Sequence, residues 1–447
     1  MELLEGQMEG TPSPQTVSTK QQRIAKEAKE EKRAFNTLAH NIDVDWLKEA
    51  FRRTRKDGAP GIDGLMARDY ETQLEENLQS LLNRVKSGEY RAPAVRRVHI
   101  PKGDGSQTRP IGIPTFEDKV LQRAVKMVLE PIYEQDFLDC SYGYRPGRSS
   151  HQALEGFWQQ MMKMGGGWVV EVDIKSFFDT LGHQHLQQLI RGRVRDGVLL
   201  RLIGKWLNAG VEEAGSVSYP EAGTPQGGVI SPLLSNIYLH EVLDKWVETE
   251  VKPRLKGQAF VVRFADDFVM GFSSEEDARR VMDVLPKRFG KYGLTLHPEK
   301  TRLLRFTPPR EGADKAPLAS FDFLGFNHHW AKSRKDRWVI KRQTASGRFT
   351  RALKKVTEWC RKFRHWTLKE QHQHLSAALR GHYGYYGITG NSQALGNFAF
   401  EVRKVWRKWL ARRSQRGMSW VRFGEMLKRF ALPPPRAIHS KLRVANP

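Results

Sequence analysis

Residues 260–272 decide the fold of this chain, and they read Phe-Val-Val-Arg-Phe-Ala-Asp-Asp-Phe-Val-Met-Gly-Phe. Apolar residues lead up to an acidic pair and away from it, which predicts a strand, a tight turn and a second strand with Asp266 and Asp267 at the tip. Two adjacent carboxylates between buried strands repel each other and lose solvation. A divalent cation such as Mg²⁺ would offset that cost, because it prefers oxygen ligands. The alternative is an ordinary solvated Asp-Asp turn.

A second apolar stretch, residues 168–172, also leads to an acid, Asp173. That side chain could cap the following helix. Alternatively, it is a third metal carboxylate on a strand beside the hairpin. Three acids at neighbouring strand ends could hold two Mg²⁺ ions about 4 Å apart, the arrangement used for in-line displacement at phosphorus. Because successive strand residues point to opposite faces, Asp266 and Asp267 are not equivalent, and we expect one of them to carry most of the coordination.

The hairpin, the Asp173 strand and the segments around them resemble a reverse transcriptase of the group II intron type, which is also a maturase. The resemblance covers roughly residues 40–430 in seven ordered blocks. It implies a right-hand polymerase of the α+β class, whose fingers and palm combine an antiparallel sheet with helices and whose α-helical thumb is also the maturase domain. It implies two Mg²⁺ ions, with Mn²⁺ able to substitute, held by Asp173, Asp266, Asp267 and the backbone carbonyl of Ile174.

The order of these blocks predicts how the domains are arranged along the chain. We expect a polar extension at 1–40, an N-terminal extension and fingers at 41–125, a palm with the remaining fingers elements at 126–335, a thumb and maturase domain at 341–430, and a basic tail at 431–447.

Composition points to a nucleic-acid partner. The 447 residues carry a net charge of +24, with a pI near 10.0, which indicates an acidic polymer as ligand. The two cysteines give neither a zinc cluster nor a disulfide framework and fit a reducing compartment. No long apolar run and no secretory signal are present, so we expect a cytoplasmic protein without a membrane span.

Five side chains are predicted to contact the incoming nucleotide. Residues 95–115 read as a basic hairpin in which Lys102 and Arg109 can approach each other and hold a triphosphate; a solvated basic hairpin is the alternative. Gln226 lies in a glycine-rich segment that could line the pocket, and Lys300 could be a third basic contact. The resemblance assigns Phe178 the exclusion of ribonucleotides, although Phe177 and Phe178 could both belong to the core.

Other residues are predicted to hold the nucleic acid. The loop at 141–150 combines aromatic residues, glycines and arginines, a composition suited to a nucleic-acid backbone. The resemblance places this loop near the template, and it makes Leu324 and Gly325 the primer grip. The basic candidates are Arg96, Arg97, Arg145, Lys354, Lys355 and Arg361.

The C-terminal part holds most of the net charge. From Lys341 to Pro447 there are 24 lysines and arginines against four glutamates and no aspartate, a net charge of +20. The pattern predicts helices at 348–364, 368–386, 393–413 and 420–430, with most of their tryptophans in a core.

The sequence departs from the family pattern twice. Phe264 replaces the usual Tyr before Ala-Asp-Asp, which keeps the ring, so we expect activity to be retained. No paired cysteines follow the maturase domain, so we expect the His-Asn-His endonuclease to be absent. The expected partners are a group II intron RNA, an RNA template with a DNA primer, target DNA and deoxynucleoside triphosphates. The alternatives are an RNA-binding splicing factor with little polymerase activity and a relative recruited to defence or DNA repair.

Overall fold

The computed structural model describes residues 16–102, 107–219, 222–223, 227–309, 318–413 and 417–439. The chain forms two compact units. The first comprises Met1–Phe157 and Val170–Leu303, and the second comprises Trp158–Val169 and Leu304–Pro447. Both units combine helices with strands, which confirms the α+β class. The break at 303–304 falls inside the range predicted for the palm.

Helices are the most abundant regular element of both units. Within the described residues the α-helices are α1 (Val17–Glu30), α2 (Val44–Arg53), α3 (Ala67–Glu71), α4 (Leu74–Ser87), α5 (Phe116–Tyr133), α6 (Ser150–Met164), α7 (Phe177–Thr180), α8 (His183–Arg191), α9 (Gly197–Leu207), α10 (Ser231–Leu239), α11 (Glu275–Gly290), α12 (Ser346–Lys362), α13 (Leu368–Tyr386), α14 (Ser392–Ala411) and α15 (Trp420–Arg429). After α10 the chain continues in π-helical turns at His240–Asp244 and Val247–Val251.

The strands form three sheets in the described residues. They are β1 (Val95–Lys102), β2 (Gln107–Ile113), β3 (Gly167–Val172), β4 (Val211–Glu213), β5 (Ser216–Ser218), β6 (Ala259–Phe264), β7 (Asp267–Phe272), β8 (Arg302–Phe306), β9 (Ser320–Phe323), β10 (Phe326–Lys332) and β11 (Trp338–Thr344). Their orders are β2-β1-β4-β5, β6-β7-β3-β8 and β11-β10-β9. The second sheet carries the acidic residues, and the boundary between the units crosses its strands β3 and β8.

Helix α5 organises the N-terminal part of the first unit. Thr115 caps it by accepting a hydrogen bond from the amide of Asp118, and its apolar side chains are buried at helical spacing. Helices α1 and α2 pack against α5. The fully buried Trp46 of α2 fixes this packing, because its indole Nε1 donates to the carbonyl of Ala124 at 2.9 Å.

The second unit packs four helices around one core. The helices predicted for the C-terminal part are α12 to α15, with ends shifted by at most two residues. Trp406 is fully buried there, and its indole Nε1 donates to Gln371 Oε1 at 2.8 Å. Trp359 and Trp409 are half-buried against the same core, whereas Trp366 and Trp420 are exposed. The prediction that most of these tryptophans are core is therefore right for three of five.

Residues 431–439 lie against α13 and its C-terminal end. Leu432 reaches the helical core, and the amide of His439 donates to the carbonyl of Gly387 at 2.8 Å. A side chain at Gly387 would meet the carbonyl of Tyr383 at 2.2 Å, so this close approach requires glycine. No helix in the described ranges is both long enough and apolar enough to cross a membrane.

Candidate active site

The acidic hairpin forms as the sequence predicts. Strands β6 and β7 pair antiparallel up to Phe264 and Asp267, so Ala265 and Asp266 are the two residues of the turn. Ala265 has a φ of 60°, which the mirror-image two-residue turns require at their first position and which costs energy for a residue with a Cβ. Asp266 is half-buried and Asp267, the first residue of β7, is exposed, so the two carboxylates are not equivalent.

Asp173 follows strand β3, which is the neighbour of β7 in the sheet. Its carbonyl accepts from the amide of His297 at 2.8 Å, and its Oδ2 accepts from Lys300 Nζ at 3.1 Å. Ile174 forms a bridge with Leu296, and the flanking residues make the two hydrogen bonds of that bridge, so the bridge does not use the carbonyl of Ile174. Lys300 therefore lies at the acidic site, paired with Asp173.

Asp173 lies near enough to Asp266 for its charge to change the pKa of Asp266. Burial raises the pKa of Asp266, and the charge of Asp173 raises it further, while Arg109 and Arg263 lower it. Two carboxylates that repel each other in a half-buried site have the donor chemistry for a divalent cation. Among the described residues, however, no three His, Cys, Asp or Glu side chains lie close enough together to hold a metal ion. The site therefore presents an acidic pair, and Asp267 does not complete a triad in this structure.

A buried arginine supports the turn. Arg263 is fully buried in β6, and each of its five N–H groups has an acceptor. Nε and one terminal nitrogen bind Asp244 at 2.8 and 2.6 Å, and the remaining N–H groups reach Asn236 Oδ1 at 2.9 Å, Ser141 Oγ at 2.6 Å and the carbonyl of Ala265 at 3.0 Å. The sequence analysis missed this residue, although a lone charge inside an apolar strand is a signal of a buried ion pair.

The loop after α5 lies along β6 and touches the turn. The amide of Tyr142 donates to the carbonyl of Arg263 at 2.8 Å, and Asn236 Nδ2 donates to the carbonyl of Gly143 at 2.7 Å. A Cβ at Gly143 would meet the amide nitrogen of Ala265 at 2.3 Å, so only glycine fits there. The next residue, Tyr144, is exposed beside the acids.

Arg145 is a structural residue, and its assignment to nucleic-acid binding is wrong. Its guanidinium is buried and paired with Glu134, with one N–H···O contact of 3.0 Å. Further N–H groups donate to the carbonyls of Leu138 at 2.8 Å and Ser141 at 2.9 Å. No side of the guanidinium is left for a phosphate, because the protein itself supplies the acceptors.

The residues predicted for the nucleotide lie in the first unit. Arg109 is exposed on β2 and close enough to Asp266 to affect its pKa. The register pairs Arg109 with Ile100 and Lys102 with Gln107; the side chain of Lys102 and the whole of Gln226 fall outside the described residues. Phe178 is half-buried, and its ring meets the buried ring of Phe177 edge-on with centroids 5.3 Å apart. Phe177 is the core member of the pair.

Gly223 and Gly227 flank Gln226 in the sequence, and both lie within the described residues. A Cβ at Gly223 would meet the carbonyl of Phe178 at 2.9 Å, and one at Gly227 would meet the carbonyl of Gly112 in β2 at 2.5 Å. Both glycines have positive φ. Gly223 therefore lies at the backbone of Phe178, and Gly227 lies at the strand that carries Arg109.

The predicted primer grip is a tight turn in the second unit. Phe323 of β9 pairs with Phe326 of β10, so Leu324 and Gly325 form a two-residue turn, and both have positive φ. The carbonyl of Leu324 accepts from the hydroxyl of Tyr385 in α13 at 2.8 Å. Helix α13 thus braces the turn.

The remaining basic candidates differ in whether their side chains are already bonded to protein groups or are exposed to solvent. Arg96 holds the loop at 58–64, since its terminal N–H donates to the carbonyl of Pro60 at 2.7 Å, and Arg97 reaches Glu213 at 3.4 Å. On α12 the side chains of Lys354, Lys355 and Arg361 are all exposed. Their assignment to nucleic-acid binding stays a prediction.

Comparison with known proteins agrees with this geometry. The family model described as "Reverse transcriptase (RNA-dependent DNA polymerase)" matches residues 100–328. Protein YkfC of Escherichia coli (strain K12) is 37% identical over 298 residues, which cover 58% of this chain and 76% of that protein. Group II intron-encoded protein LtrA of Lactococcus lactis subsp. cremoris is 46% identical over 173 residues, covering 39% of this chain and 28% of that protein. Nuclear intron maturase 2, mitochondrial, of Arabidopsis thaliana is 29% identical over 177 residues, 31% of this chain and 24% of that protein.

Proposed function

The chain belongs to the reverse transcriptase (RNA-dependent DNA polymerase) family, of the group II intron type, and on this premise we propose how it binds its substrates and what it does in the cell. It copies RNA into DNA, and it assists the splicing and mobility of its own intron RNA. Its partners are that RNA, an RNA template annealed to a DNA primer, target DNA and deoxynucleoside triphosphates. It acts in the bacterial cytoplasm.

The observation that carries this proposal is the acidic pair Asp173–Asp266, with Arg109 near enough to act on Asp266. Reverse transcriptase domains use divalent metal ions, and the acidic pair has the donor chemistry for them. We assign Mg²⁺ as two ions, with Mn²⁺ able to substitute, and Asp267 and the carbonyl of Ile174 as further ligands. When bound, such ions lower the pKa of the attacking hydroxyl and offset charge on the transferred phosphoryl group.

The other residues bind and orient the substrates. Arg109, with Lys102 and Gln226, binds the incoming nucleotide through its triphosphate and base. Lys300 keeps the carboxylate of Asp173 in place through its contact of 3.1 Å. The half-buried ring of Phe178 occupies the space that a 2′-hydroxyl would need, so deoxynucleotides are preferred. Leu324 and Gly325 hold the primer end.

The C-terminal helices of the second unit supply the main contacts to the RNA. Its net charge of +20 from Lys341 to Pro447 neutralises phosphates, and exposed cations such as Lys354 on α12 contact the backbone without reading sequence. In the first unit, Arg96 and Arg97 contribute further phosphate contacts.

Primer extension on an RNA template tests the proposal. Purified wild-type protein should extend a DNA primer with deoxynucleotides and Mg²⁺, and Asp173→Asn and Asp266→Asn should abolish extension while the dissociation constant for RNA stays within about twofold, because these acids do not contact phosphate directly. Asp283→Asn, which changes an exposed carboxylate of α11, is the matched control. Wild-type protein that binds RNA tightly but never extends a primer would favour a splicing factor over a polymerase.

A further inference from the structure

Tyr144 has a backbone conformation that a tyrosine rarely adopts. Its φ is 59°, in the left-handed region, and its side chain is 52% exposed. A bulky residue at positive φ costs on the order of 1–3 kcal/mol and persists only where its surroundings determine it. An exposed ring gains little packing energy to offset that cost, so the conformation calls for a functional reason.

The residues on either side impose this conformation. The carbonyl of Gly143 accepts a hydrogen bond from Asn236 Nδ2 at 2.7 Å, and the backbone of Gly143 lies close against the amide of Ala265. Arg145 is locked by Glu134 and by carbonyls of its own loop. Both anchors are buried, so Tyr144 is the member of this run that faces solvent. The loop therefore presents one phenol directly beside the catalytic turn.

The charges around the phenol define what it faces. Partial burial raises the pKa of Tyr144, the charges of Asp266 and Asp267 raise it further, and Arg109 lowers it. The hydroxyl is thus near enough to Asp266, Asp267 and Arg109 for their charges to act on it. A neutral O–H donor at that place suits a phosphate or sugar oxygen, and the ring offers a stacking surface for a base.

We propose that Tyr144 contacts the incoming deoxynucleoside triphosphate and sets its affinity in the site. This role rests on the proposed polymerase function and adds a residue to it. The phenol O–H donates to an oxygen of the nucleotide, and the ring packs on the nucleoside. The left-handed backbone is what aims the ring at this position, since an extended residue would point it elsewhere.

Two variants separate the hydroxyl from the ring. Tyr144→Phe removes only the O–H and should raise the KM for deoxynucleotide roughly tenfold, as expected for a hydrogen bond to a charged group. Tyr144→Asn removes the ring as well and should raise KM roughly ten- to hundredfold. Asn tolerates the left-handed region, so this variant should melt at or above the wild-type Tm. In both variants kcat and the dissociation constant for the primer–template should change less than about threefold.

The control is Tyr219→Asn, which removes an exposed tyrosine that follows β5, and it should leave KM unchanged. The proposal is overturned if Tyr144→Phe and Tyr144→Asn keep the wild-type KM, or if they weaken only primer–template binding, which would make Tyr144 a template contact. A wild-type protein that extends no primer would instead refute the proposed function itself.

Discussion

Replacing Arg263 with lysine tests whether the buried network under the turn positions the catalytic carboxylates. Lysine keeps the positive charge beside Asp244 but has three donors in place of five. The structure gives Arg263 five acceptors, one of which is the carbonyl of Ala265 in the turn itself. At least two of those acceptors lose their partner in the variant.

The expected loss of stability follows from those acceptors. Each buried polar group left without a partner costs about 1–3 kcal/mol, so two of them cost about 2–6 kcal/mol. That is a large fraction of the roughly 5–15 kcal/mol that stabilises a domain, but Arg263→Lys should still fold. Arg263→Ala would leave Asp244 buried and unpaired, which costs about 3–5 kcal/mol and adds to the lost hydrogen bonds.

Catalysis should fall beyond the effect of stability. A turn that shifts by about 1 Å costs on the order of a hundredfold in rate, because the carboxylates no longer meet the reacting groups. We therefore expect kcat per folded molecule to fall roughly a hundredfold with KM for deoxynucleotide nearly unchanged. The assay combines steady-state primer extension with the folded fraction from circular dichroism and a Mn²⁺ binding titration, which should show weaker binding in the variant.

Arg193 provides the matched control. Its guanidinium is also mostly buried, pairs with Asp136 at 2.7 Å and donates to three backbone carbonyls near the end of α1, and none of these partners belongs to the acidic turn. Arg193→Lys should lose a similar amount of stability and keep the wild-type kcat and Mn²⁺ affinity. If both lysine variants show the same kcat after correction for folded protein, Arg263 only stabilises the fold and the positioning role is refuted.

Three further predictions use other parts of the molecule. Phe178→Ala should admit ribonucleotides, measured as the ratio of ribonucleotide to deoxynucleotide incorporation; an unchanged ratio in an active variant would make this ring simply core. Neutralising Lys354, Lys355 and Arg361 should make the slope of log RNA affinity against log salt concentration less steep by up to about 2.7, taking duplex DNA as the guide. Equal slopes for the variant and the wild type would place the RNA site elsewhere. Because burial raises the pKa of Asp266 above its ordinary value of 3.8, the metal-free protein should lose stability as the pH rises through that raised pKa, and Asp266→Asn should not. Melting curves from acid to neutral pH measure this difference, Mg²⁺ should raise the Tm of the wild type alone, and parallel curves for the two proteins would contradict the assignment.

Local patterns in the sequence predicted the elements that local interactions determine. Helix α13 begins at the predicted residue 368 because Thr367 caps it and Glu370 completes the capping box. The hairpin at 264–267 follows from two apolar strands joined by a short polar turn. Such features depend on residues a few positions apart, so the sequence contains their cause.

The use of each arginine could only be decided by the tertiary structure. Arg145 and Arg263 both stand in motifs beside the site, and the sequence suggested the first as a nucleic-acid contact and gave no role to the second. In the structure Arg145 bonds to its own loop and to Glu134, while Arg263 gathers partners 19, 27 and 122 positions away. A guanidinium binds phosphate only if the fold leaves its N–H groups without acceptors, and that depends on groups which chain folding brings together from distant positions. The sequence by itself thus determined the enzyme family and its acidic residues, whereas the tertiary structure decided which charges support the site and which remain available to bind a substrate.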